Sequence, residues 1–161
     1  MKMSTTTDKE YQEAVHQALE RCQFIEETLR AYIESAVETA KIELAPHFPV
    51  RFTTTDLSTL SLGRLVSIFS RLSADGPLNA SLKAITKDRN FVAHRSLLFT
   101  LGKSADSTRM SEAIHEMRQI EQRARNIHGN LLDVRYAMLK SLARVRRCKR
   151  KPSEGEAQPT I

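Results

Sequence analysis

The chain reads as an all-α protein, a four-helix bundle with two long outer helices, the first and the fourth, and two shorter ones between them. Three observations predict this. Gly and Pro number five each, aromatic residues make up 6% and Trp is absent, a composition suited to helices rather than to sandwiches or barrels. Apolar residues recur at spacings of three and four over long stretches, and no run alternates as a strand would. The 161 residues are one domain's worth, enough to bury a hydrophobic core, and no internal repeat is visible.

The first helix is expected from about Asp8 to Leu44. Thr7 and Glu10 have capping-box spacing, the hydroxyl accepting from first-turn amides while the carboxylate reaches back. Tyr11, Val15, Ala18, Cys22, Ile25 and Leu29 begin one apolar stripe that continues through Tyr32 or Ile33 to Ala36 and Ala40. Pro46 and Pro49 then stop the hydrogen-bond ladder. The second helix begins near Thr55 and Asp56 and presents Leu57, Leu60, Leu65, Ile68, Phe69 and Leu72. Asp75-Gly76-Pro77 is a turn that ends it and opens the third. That helix runs from Pro77 to about Leu101 and closes at Gly102. The fourth follows Ser104 to Ser107 and carries a stripe from Met110 through Met117, Ala124 and Leu131 to Val145. Residues 1–151 are expected to form the bundle and 152–161, PSEGEAQPTI, a disordered tail.

The net charge of +6 is concentrated at one end. Lys140, Arg144, Arg146, Arg147, Lys149, Arg150 and Lys151 fall within residues 140–151, where there is no acid. The tail adds Glu154 and Glu156, which leaves residues 1–139 with 18 bases against 17 acids. Such a run could track an RNA backbone, with affinity falling as salt rises. It could equally complement the C-terminal end of a helix dipole. Two cysteines cannot make a disulfide framework. MKMSTTTDKE has no apolar stretch after its basic residue and does not read as a secretory signal. No apolar run approaches the roughly 18 residues of a membrane span. The expectation is a soluble, cytoplasmic protein with no membrane partner.

Residues 89–95, Arg-Asn-Phe-Val-Ala-His-Arg, carry the chemistry. On a helical wheel Leu78, Leu82, Ile85, Val92 and Phe99 share one line, and Arg89 falls in its middle, roughly 20° from Leu78. A charge there is costly unless an opposite charge or a ligand meets it. Asn90 and His94, four apart, share another face, which turns apolar at Leu97, Leu98 and Leu101. A helix apolar on both sides is buried on both, so a second copy of the protein is expected against that face. Arg89, long and forked, would reach round the helix edge to join His94 near the seam. Spacing alone does not single this pair out. Arg109/His115 and Arg123/His128 share it, but they lie on the fourth helix, where both arginines read as solvated. The adjacent Asn90, the Ala93 before the histidine and the place in a later core helix distinguish Arg89/His94. A structural arginine paired with an acid of the long helices is the competing reading.

This seven-residue segment, in a helical bundle, resembles the Arg-(four to six residues)-His motif of the HEPN family (higher eukaryotes and prokaryotes nucleotide-binding). The resemblance covers the bundle layout and the motif. It implies a homodimer whose two motifs form one composite, metal-independent endoribonuclease site that leaves 2′,3′-cyclic phosphate ends. His94 would be the acid/base, Arg89 would hold the scissile phosphate, and Asn90 would orient either. Arg95 could add a phosphate contact, or be merely solvated. The resemblance also implies a toxin or antiphage-defence role, with a nucleotidyltransferase-type antitoxin as a possible partner. A non-catalytic nucleic-acid or protein-binding module of the same fold is the alternative.

Other constellations point nowhere. Glu13/His16 and Glu112/His115 have the spacing of di-iron ligand pairs, but the two middle helices offer only Asp88 between them. No zinc spacing, Gly-rich phosphate loop or cysteine pair is present. Neither a metal nor another cofactor is expected.

Overall fold

The computed structural model describes the backbone of residues 5–44, 57–100 and 107–149, and the side chains within them except those of residues 5, 6, 97–100, 107, 145, 146, 148 and 149. Four helices make up these residues: α1 (Thr5–Leu44), α2 (Leu62–Leu72), α3 (Gly76–Thr100) and α4 (Ser107–Lys149). A 3-10 turn at Leu57–Thr59 precedes α2. The protein is an all-α bundle in which the long helices α1 and α4 pack most closely. The expectations for Pro46, Pro49, Thr55, Asp56, Leu101, Gly102 and the tail lie outside the described residues.

The core follows a repeat of alternating three- and four-residue steps. Tyr11, Val15, Ala18, Cys22, Ile25 and Leu29 are buried along α1, and Met110, Ala113, Met117, Ile120, Ala124 and Ile127 along α4. This averages 3.5 residues per turn, the repeat of left-handed coiled-coil packing. Polar pairs beside the seams step by the same heptad. Arg21–Glu121 and Thr28–His128 join α1 to α4 in the same order along both helices, so the two run parallel. Asp88–Arg123 and Arg95–Glu116 join α3 to α4 in opposite order, so α3 runs antiparallel to α4.

Two junctions depart from the sequence reading. Thr7 and Glu10 do not bracket the start of α1, which begins at Thr5 and places both inside its first turns. The second helix does not run unbroken from Leu57. Leu57 is buried in the 3-10 turn, and α2 starts afresh at Leu62. Arg30 of α1 explains the break: its Nε donates to the Leu57 carbonyl at 3.0 Å and its Nη2 to that of Leu60 at 3.3 Å. Carbonyls engaged by a guanidinium are satisfied without continuing a helix.

The turn into α3 behaves as its residues dictate. Asp75 accepts the Leu78 amide on Oδ1 at 2.9 Å, which makes it the cap, and Pro77 sits in the first turn where its missing N–H is no loss. From there α2 and α3 form an antiparallel hairpin. A Cβ at Gly63, near the start of α2, would touch Thr86 of α3 at 3.6 Å. α2 therefore lies along only the first part of α3, and the second half is left to α1 and α4.

Candidate functional site

The second half of α3 presents the singled-out residues. Leu82, Ile85 and Val92 are fully buried, and Arg89 occupies the core register between Ile85 and Val92. Its side chain nevertheless keeps 44% of its surface exposed. Core register does not bury it, because α2 does not reach this turn of α3 and a long side chain can carry its charge to water. Its partner is Glu26, whose Oε1 lies 3.9 Å from Arg89 Nε. The other Glu26 oxygen is 3.4 Å from Arg30 Nη2, so one carboxylate serves two guanidinium groups. The competing reading named an acid of the long helices as the partner of Arg89, and Glu26 is one.

Asn90 and His94 are exposed together on the solvent face of α3, without a hydrogen bond or ion pair among the described residues. Arg89 and His94 are five positions apart, about 140° round the helix. Arg89 faces α1 and His94 faces solvent, so one copy alone does not bring them together. The apolar continuation of that face at Leu97 and Leu98 lies outside the described side chains. Phe91, also exposed, lies under the Arg95 guanidinium at 5.2 Å. Arg95 is further engaged by Glu116 of α4 at 2.8 Å. A phosphate contact from Arg95 would have to break that pair.

Arg123 is exposed, as expected, and is also paired. Its Nε and Nη2 both donate to Asp88 Oδ2, at 3.1 and 2.9 Å, and tether α4 to α3. Arg109 is exposed, as expected. Of the basic run, Lys140, Arg144 and Arg147 are exposed on α4, Arg146 and Lys149 belong to the helix without described side chains, and Arg150 and Lys151 lie beyond the described residues.

A second polar cluster, not found from the sequence, sits where α1 meets α4. Thr28 is the one buried polar side chain among the described residues, and its Oγ1 is 3.0 Å from His128 Nε2. Phe24 stacks on the His128 ring at 6.0 Å, and Arg21 lies over Phe24 at 5.5 Å. Burial, and then the Arg21 charge, lower the imidazole pKa. The heptad step linking residues 21 and 28 to 121 and 128 was the available signal, legible only once the two helices are known to run parallel.

Cys22, against the Arg89 charge but wholly buried, has its thiol pushed up to about 11 by burial and serves packing. Glu13, His16, Glu112 and His115 are all exposed, and no group of three or more metal-ligating side chains occurs among the described residues. No described helix is long and apolar enough to cross a membrane. Compared with known proteins, the chain matches no family model, no curated protein and no solved structure.

Proposed function

We propose that this protein is a metal-independent endoribonuclease of the HEPN kind, acting as a homodimer in the cytoplasm as a toxin or antiphage-defence effector. The observation that carries the reading is the state of Arg89. It stands at a core position yet holds its guanidinium half exposed on a long ion pair, with Asn90 and His94 uncovered on the neighbouring face. Two copies meeting along the second half of α3 would add the missing imidazole to each arginine. In that cleft one His94 takes the proton of a ribose 2′-hydroxyl while the 2′-oxygen attacks phosphorus. A second His94 returns a proton to the departing 5′-oxygen, which leaves a 2′,3′-cyclic phosphate. Arg89 holds the phosphorane through parallel hydrogen bonds, and Asn90 orients the imidazole or the phosphate. Arg144, Arg146, Arg147, Lys149, Arg150 and Lys151 would track the flanking RNA. A nucleotidyltransferase-type antitoxin would be the partner that restrains it.

A second reading has its own support. A polar residue at a core position fixes register in helical bundles, and the Glu26 contact suits Arg89 to that task. The same groove would then bind nucleic acid or protein without cutting. Incubation with RNA in EDTA distinguishes the two. Cleavage to cyclic-phosphate ends, abolished by His94→Ala at unchanged helicity, is the expected result. A parent protein that leaves RNA intact, or a His94→Ala variant that cuts as well, rules the nuclease out.

A further inference from the structure

Three large apolar side chains stand exposed on the outer face of α4: Leu132 at 42%, Tyr136 at 69% and Leu139 at 38%. They are four and three residues apart, and Ala143, also exposed, continues the series. Isolated apolar groups on a surface are ordinary, but three in heptad register form a seam. This seam is distinct from the core stripe of the same helix, in which Leu131 is buried and Val134 and Met138 pack against the core. It is also remote from the α3 face discussed above.

Width and charge identify the occupant. The three side chains fall within about 60° of one another round the helix. That is the narrow seam of a helix-on-helix contact, whereas a helix lying in a lipid surface holds itself there by the apolar area of a broad face of large aromatic and aliphatic side chains. Lys140 and Arg147 border the stripe on one side and Arg135 on the other, with Asp133 the one acid. A second copy of α4 laid on this stripe would set base against base, a repulsive pairing. An apolar seam bordered by carboxylates would meet both requirements. Exposed tyrosine is in addition a residue type that anchors protein contacts.

We infer that the outer face of α4 docks an amphipathic α-helix of a partner protein, one with a narrow apolar stripe flanked by Asp and Glu. The probe is a labelled three-heptad peptide with Leu at its two core positions and Glu at both flanks, titrated against the full chain by fluorescence anisotropy. Its Lys-flanked counterpart is the control. The Glu peptide is expected to bind, to weaken as salt rises, and to bind at least about tenfold more weakly to Leu132→Ser/Tyr136→Ser. Lys140→Glu/Arg147→Glu is expected to reverse the preference toward the Lys peptide, a gain that misfolding cannot produce. The inference is overturned if neither peptide binds, if both bind alike, or if the variants change nothing. It is overturned equally if the seam variants abolish self-association of the chain, or its binding to anionic vesicles or RNA, while the Glu peptide is ignored.

Discussion

Arg89 and Glu26 face each other across α3 and α1 with 3.9 Å between Nε and Oε1, at a level of the bundle where every other core-register position of α3 between Leu78 and Val92 is filled by an apolar side chain. An ion pair so placed gains modest Coulomb energy and gives up apolar packing, and its half-exposed guanidinium is screened by water. The position is held by a residue that does little for stability.

Arg89→Leu should therefore leave the protein at least as stable, with a gain of up to about 1 kcal/mol in urea unfolding, because an apolar side chain continues the heptad seam. RNA cleavage should be lost in the same variant. A large loss of stability would mean that Arg89 is chiefly a structural tether, and would favour the non-catalytic reading.

Arg30 predicts the opposite behaviour. Its guanidinium satisfies the carbonyls of Leu57 and Leu60 and shares Glu26 with Arg89. Arg30→Ala takes its donor from the part-buried Leu60 carbonyl and leaves that of Leu57 with only the Leu60 amide, and about 1–3 kcal/mol should be lost. Amide hydrogen exchange should quicken first around residues 57–65, since the 3-10 turn and the start of α2 depend on that anchor. An unaltered exchange pattern there would contradict this account of the junction.

The Asp88–Arg123 pair, though its two hydrogen bonds are short, is largely exposed on the arginine side. A double-mutant cycle of Asp88→Asn and Arg123→Gln should return a coupling of no more than about 1 kcal/mol, shrinking in high salt. Its use lies in direction: with Arg95–Glu116, it fixes how α3 lies on α4.

These pairs also mark where the sequence ceased to be legible. The stripes on the first, third and fourth helices could be read because apolar spacing repeats along a single helix, and Arg89 was located in register by the same means. What Arg89, Arg95 and Arg123 touch depends on which helix lies alongside and in which direction, and neither is written in local spacing. Arg95 and Arg123 look alike in sequence, as charges beside an apolar stripe, until antiparallel packing sets Glu116 and Asp88 against them. Exposure of Arg89 turned on the length of α2, whose start is set by Arg30 and not by its own residues. The helix order and the turn at Asp75-Gly76-Pro77 came through because Gly, Pro and Asp act within a few residues of themselves, while the capping role of Asp75 emerged only from its bond to the Leu78 amide.

His128 supplies the pH dependence. Its imidazole is half-buried against Phe24, accepts or donates across 3.0 Å to Thr28, and faces Arg21 from α1, with Arg125 and Glu121 one and two turns back on its own helix. Burial and the Arg21 charge both disfavour the imidazolium, so the folded-state pKa lies below the ordinary 6.5. The unfolded chain then binds the proton more readily than the folded one, and stability rises with pH across the interval between the two values. The contribution is complete above the unfolded pKa and is lost as pH falls through it toward the folded value, where it levels off. His128→Gln keeps a polar partner for Thr28 but cannot titrate. Subtracting its urea-unfolding profile from that of the parent between about pH 8 and 4 should leave a curve that falls toward acid, starting near 6.5. A flat difference would show that the imidazole is as free to protonate in the seam between α1 and α4 as in water, and a difference rising toward acid would mean that Glu121 outweighs Arg21 at the ring.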